Sequence, residues 1–181
     1  MKILLTILML ISSMKALSFA EISNWYSEGK YKQICQEQVE KFYIKTRIDA
    51  VLNLYGMACL NTHMINRLST PIFGLTKSKQ ARENAAYFAD ILYKKKLLYY
   101  AVIDGVDISY IRLPKSDYIL SYIFDRFTKG DYEKDDEIFI FKEPNSDTYY
   151  ELGKSELEYE IPRIFIRTYK DDELINEIEY W

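Results

Sequence analysis

Glu156-Leu157-Glu158-Tyr159-Glu160-Ile161 decides the fold class, because it alternates acidic and apolar residues without exception. Successive side chains of a β-strand point to opposite faces, so a period of two describes a half-buried strand with one wet face. Arg163 to Tyr169 and Glu173 to Trp181 have the same cadence, and Ile138-Phe139-Ile140-Phe141 is a strongly β-prone run. Turn-forming clusters separate these runs: Pro144-Asn145-Ser146-Asp147, Gly153-Lys154 and Lys170-Asp171-Asp172. Short strands joined by short turns predict an antiparallel meander of four or five strands over residues 129–181. So small a sheet is marginal alone in water, and its apolar face is expected to pack on other elements. The acid-rich stretch Asp131 to Glu137 lacks the spacing of a Ca²⁺-binding loop and reads as a solvated connector.

Upstream, the apolar period changes to three and four. Ala81, Ala85, Phe88, Leu92, Tyr99 and Val102 form one stripe of an amphipathic helix. Lys94, Lys95 and Lys96 interrupt it, and at least two of them are expected to reach solvent. Ser116 is the expected N-cap of a further helix carrying Ile119, Leu120, Ile123, Phe124 and Phe127. Pro71, Gly74 and Pro114 are expected breaks. The fold class that follows is α+β: helical hairpins over residues 21–128, then the antiparallel meander packed on them. Charge divides at the same boundary. Residues 21–128 carry 15 basic and 11 acidic side chains, and residues 129–181 carry 7 and 16. A sign change where the pattern also changes supports two structural segments.

The first twenty residues predict the compartment. Lys2, the apolar run Ile3 to Ile11 and the closing Ser18-Phe19-Ala20 have the layout of a secretory signal peptide, with the mature chain starting near Glu21. The run is too short for a bilayer, which needs roughly 20 apolar residues. No membrane span is expected after cleavage, and a periplasmic or secreted location follows. An exported chain with 27 acidic against 24 basic side chains is a poor match for nucleic acid.

Cys35 and Cys59 are the two cysteines of the chain. Helices over Tyr31–Tyr43 and Asp49–Asn61, running antiparallel, would turn near Lys45–Ile48. Residue 47 is midway between the cysteines, so the two thiols would stand side by side, as a disulfide requires. Closing a loop of about 25 residues would add roughly 3 kcal/mol in the chain-entropy treatment.

Within Leu52-Asn53-Leu54-Tyr55-Gly56-Met57-Ala58-Cys59, Gly56 fits the glycine of the tetratricopeptide pattern W-x2-L-G-x2-Y. Leu52 stands at the Trp position, Tyr55 at the Leu position and Cys59 at the second aromatic. Gly29-Lys30-Tyr31 fits the turn of a preceding unit in the same 34-residue register. Residues 21–68 therefore resemble a degenerate tetratricopeptide-like repeat, and the resemblance implies paired helices that hold a partner.

Chemistry is sparsely signalled. His63 is the sole histidine, which removes paired-His zinc sites, and no G-x-S-x-G elbow, P-loop or G-x-G-x-x-G is present. No catalytic, metal-binding or cofactor-binding residue is assigned, and a histidine near a helix end reads as a packing or capping residue. Tyrosine is abundant, at 17 residues, and exposed tyrosine is enriched at interfaces. Tyr87, Lys94, Lys95, Lys96, Tyr99 and Tyr100 are the candidate partner-binding residues. The expected function is a non-enzymatic scaffold or adaptor of the cell envelope that binds a protein or peptide. The alternatives are a hydrolase-type enzyme and a small-ligand binding protein, each with a cleft between the two segments. A concave site joining His63 to an acid and a hydroxyl would favour the enzyme, and an enclosed tyrosine-lined pocket the ligand binder.

Overall fold

The computed structural model describes residues 17–155 and 161–181. The export signal expected over residues 1–20 thus lies mostly outside the described residues. So does the strand expected over 156–161, apart from Ile161, which is exposed and in no strand. Seven helices among the described residues precede five strands. They are α1 (Phe19–Ser27), α2 (Tyr31–Ile34), α3 (Glu37–Thr46), α4 (Asp49–Asn61), α5 (Ser69–Gly74), α6 (Lys79–Asp104) and α7 (Ile119–Phe127), with a 3-10 turn at Ile65–Leu68. The strands are β1 (Glu133–Asp135), β2 (Ile138–Lys142), β3 (Thr148–Lys154), β4 (Ile164–Lys170) and β5 (Glu173–Tyr180), paired antiparallel in chain order. The α+β class and the meander are as the sequence predicts.

Local chemistry sets the ends of the longest helix. Ser78 caps α6 by accepting a hydrogen bond from the Ala81 N–H at 3.0 Å, and Gly105 ends it at φ +68°, a left-handed conformation open to glycine. One face of α6 buries Ala81, Ala85, Phe88, Ile91, Leu98 and Ala101. The helix packs against α4, α5 and the 3-10 turn, and also against α7, β3 and β4. It is the element that both halves of the chain share. At the other end of the helical half, the Ser18 hydroxyl accepts from the Glu21 N–H at 3.2 Å and caps α1. Cleavage after Ala20 would remove that cap and the first two helical residues.

Five local expectations are corrected. Gly153-Lys154, expected as a turn, lies inside β3, paired with Phe165 and Ile164 of β4. The helix expected over Tyr31–Tyr43 is broken at Cys35-Gln36, where Gln36 is extended and its amide donates to the Lys32 carbonyl at 2.8 Å. The break seats Ile34 and Cys35, both fully buried, in the core with Val39. Pro71 is no breaker: it sits in the first turn of α5, where backbone N–H groups have no intrahelical partner to lose. Tyr118, not Ser116, precedes α7, and the Ser116 N–H instead donates to the Ser121 hydroxyl at 3.0 Å. The acidic connector contains β1, whose exposed Glu133, Lys134 and Asp135 pair with Ile140, Phe139 and Ile138.

In the sheet, Phe139, Leu152, Ile166 and Ile178 stand in register across β2 to β5 on the core side. Glu151, Arg167 and Glu177 stand in register on the other face, where the Arg167 Nε donates to Glu177 at 2.5 Å. An alternating acid–base–acid row keeps that face wet and stabilises the pairing. Apolar residues from both halves, among them Phe88, Leu98, Phe141, Leu152 and Ile166, join one continuous core.

Gly153 and Gly56 each permit a close approach. A Cβ on Gly153 would stand 2.6 Å from the Phe165 ring lying over β3. A Cβ on Gly56 would stand 2.4 Å from Cε2 of Phe88, so α4 meets α6 through a fully buried aromatic ring. Alanine at 56 gains about 1 kcal/mol of helix propensity, but overpacking a filled core costs about 1–3 kcal/mol. The second term is expected to win because the clashing ring has no solvent to move into. Gly56→Ala should lower the urea midpoint, and Gly56→Ala combined with Phe88→Leu should recover much of the loss.

Candidate functional site

The structure separates the six candidate partner-binding residues into two groups. Lys94 and Lys95 are each 1 % exposed, so the expectation that at least two of the three lysines reach solvent is corrected. The Lys94 ammonium donates to Asp90 Oδ2 at 2.5 Å, to the Ser121 hydroxyl at 2.8 Å and to the Pro114 carbonyl. It pins the loop before α7, and α7 itself, to α6. The Lys95 ammonium donates to Asn66 Oδ1 at 2.6 Å and to the main-chain oxygen of Trp181, tying α6 to the 3-10 turn and to the residue after β5. Burial, and secondarily the neighbouring Lys96, push the Lys95 amine down to about 8. Tyr87 donates to Asp117 Oδ1 at 2.8 Å, and Tyr99 donates to the Pro162 carbonyl at 2.7 Å. These four side chains hold the fold together.

Lys96 and Tyr100 are exposed, and Tyr93 joins them. Positions 93, 96 and 100 are three and four residues apart, so they form one row on the outer side of α6. Tyr93 and Tyr100 are 52 % and 50 % exposed, unusual for large aromatics on a long helix. Tyr93 was legible in principle: the buried row at 81, 85, 88 and 91 puts position 93 on the opposite side of the helix.

A cleft of about 380 Å³ opens where the helical half meets the end of β5, lined by His63, Asn66, Arg67, Lys95, Glu179 and Trp181 among others. His63 follows α4 in a left-handed conformation, φ +57°, and its Nδ1 shares a hydrogen bond of 2.7 Å with the Tyr118 hydroxyl. Burial raises the Tyr118 phenol to about 12 and raises the Tyr180 phenol beyond it. The Tyr180 hydroxyl is buried beside the Tyr118 hydroxyl. Glu179 accepts from the Ser155 hydroxyl at 2.7 Å and from Arg163 at 2.9 Å, which hold its carboxyl below the ordinary range.

His63, an acid and a hydroxyl therefore do gather. The arrangement departs from a Ser-His-acid triad, because a phenol rather than a carboxylate orients the imidazole, and the Glu179 carboxylate is bonded to Ser155 and Arg163. Among the described residues, no three His, Cys, Asp or Glu side chains cluster as a metal cage requires, and no helix is long and apolar enough to cross a membrane.

Burial lowers the His63 pKa from its usual 6.5. The folded state therefore disfavours the protonated ring, and the unfolded chain takes up the proton first as pH falls. Stability contributed by neutral His63 is present above pH 6.5 and is lost as pH drops through the folded value. In an NMR titration the lone imidazole resonance should show a midpoint below 6.5. A midpoint at or above 6.5 would contradict the buried placement.

No family model, no curated protein and no solved structure matches the chain.

Proposed function

We propose that the chain is a non-enzymatic interaction protein of the cell envelope, periplasmic or secreted, whose protein or peptide partner docks on the outer side of α6. The observation that carries this reading is the exposed Tyr93–Lys96–Tyr100 row on a helix whose opposite face is consumed by the core. Tyrosine supplies a large, rigid, amphipathic contact at low entropic cost. Lys96 between the two rings favours an acidic residue on the partner. The tetratricopeptide-like reading of residues 21–68 supports partner binding, and the Cys35–Cys59 disulfide supports an oxidising compartment.

A photo-reactive phenylalanine derivative at Tyr100 is expected to give one discrete adduct in cells, lost when Lys96→Glu is added. The same derivative at the exposed Gln33 of α2 should give none. Equal adducts from both positions, or none at Tyr100, would contradict the proposal.

A small-ligand site in the cleft beside His63 is the second reading, favoured by the His63, Arg67 and Tyr180 side chains that share its wall. It predicts that Tyr180→Phe alters ligand retention without altering adducts at Tyr100.

A further inference from the structure

A second surface lies apart from the α6 row, at the junction of α3, α4 and α5. Phe73 is 83 % exposed, Ile44 51 % and Ile48 37 %. Phe73 and Ile44 border a shallow depression of about 380 Å³ together with Tyr43, Arg47, Ser69 and Gly74. Phe73 precedes Gly74, the residue that lets α5 close on Leu52 and Tyr43, so the chain turns there and the phenyl ring projects outward. The charges around it are mostly positive. Lys45, Arg47, Lys77, Lys79 and Arg82 are exposed at this end. Lys77 is paired with Asp49 at 3.1 Å and Lys79 with Glu83 at 3.7 Å, whereas Lys45, Arg47 and Arg82 form no ion pair among the described residues. The Lys77 ammonium also donates to the Arg47 carbonyl at 2.8 Å, and Arg82 donates to the Thr76 carbonyl at 2.9 Å, which fixes these cations around the apolar tip.

We propose that this tip is a peripheral contact for an anionic lipid surface. Phe73 and Ile44 enter the headgroup–acyl boundary while Arg47, Lys45 and Arg82 stay among the phosphates. The order of groups is the one an interface selects: apolar side chains outermost, cations behind them on long stems. A protein partner is the poorer fit, because protein hot spots are seated in pockets and this feature protrudes beside an open, shallow floor. Charge complementarity chooses the lipid class, since each cation near an anionic leaflet adds to binding and zwitterionic lipid supplies no such term. One aromatic tip with a few cations gives weak, reversible and salt-sensitive attachment.

The test is co-sedimentation of the full chain with vesicles of equal parts phosphatidylglycerol and phosphatidylcholine, against pure phosphatidylcholine. Retention is expected on the anionic vesicles only, falling between 50 and about 500 mM salt as the Debye length shrinks. Phe73→Ser is expected to weaken retention about tenfold, from the loss of one buried aromatic side chain. Arg47→Glu should weaken it by about tenfold or more. Both side chains are exposed, and an unchanged thermal midpoint verifies that each variant folds. Equal retention on the two compositions, undiminished retention of Phe73→Ser, or absence from both vesicles with capture of an acidic protein instead would each overturn the assignment.

Discussion

Lys94→Met should lower stability by about 3–5 kcal/mol, the range seen when one partner of a buried ion pair is removed. At 2–4 °C per kcal/mol for a chain of this size, that is a fall of roughly 10 °C in Tm. The size follows from what the amine serves. Lys94 is 1 % exposed and Asp90 is 18 % exposed, so the carboxylate left behind would keep little water to replace its cation. The Ser121 hydroxyl and the Pro114 carbonyl lose a partner in the same step. Methionine fills most of the lysine stem's volume, so the loss is electrostatic rather than a cavity. The control is the pair Lys94→Met with Asp90→Leu, which removes the stranded charge. It should recover more than half of the loss, because replacing both members of a buried pair by apolar groups is often near neutral. A single variant as stable as wild type would mean that Lys94 is solvated in the native state.

Reducing the Cys35–Cys59 bond should cost about 3 kcal/mol, because the 24-residue separation closes a loop whose entropy the unfolded chain then regains. Both cysteines are fully buried, so the native protein should resist mild reductant and lose the bond only as it opens. Urea unfolding with and without strong reductant is expected to show a large midpoint shift. Cys35→Ala with Cys59→Ala should reproduce the reduced curve to within the small packing change. A variant that matches the oxidised protein would show that the helices need no clamp.

The second half of the chain was the easier to read. Its strands follow a period of two, and the turns at Pro144–Asp147 and Lys170–Asp172 carry local signals, whereas Gly153-Lys154 reads as a turn and is strand. The register of Glu151, Arg167 and Glu177 is what acid-out alternation demands. The Cys35–Cys59 pairing was legible for a similar reason: symmetry about one turn needs only helix length, and Arg47 does turn there, at φ +56°. The break at Cys35-Gln36 was not legible, because tertiary contacts override a helical period that runs through it. The lysines failed for a related reason. A run of three consecutive cations reads as solvent-facing by composition, yet consecutive helical positions are about 100° apart, so two of the three point inward where Asp90, Ser121 and Asn66 wait. Partners 27 and 29 residues away along the chain leave no mark in a local window. Of the candidate face, Lys96 and Tyr100 were named from the sequence, whereas Tyr93 emerged from the helix's geometry.

Through buried lysines and its apolar face, α6 joins the helices and the sheet into one cooperative unit, with its outer row left exposed. Native-state hydrogen exchange tests this directly. The slowest amides of α6 and of β4 should share one opening free energy equal to that of global unfolding, and Lys94→Met should lower both by the same amount. Amides of β4 that exchange through a separate, lower-energy opening, unaffected by Lys94→Met, would contradict it.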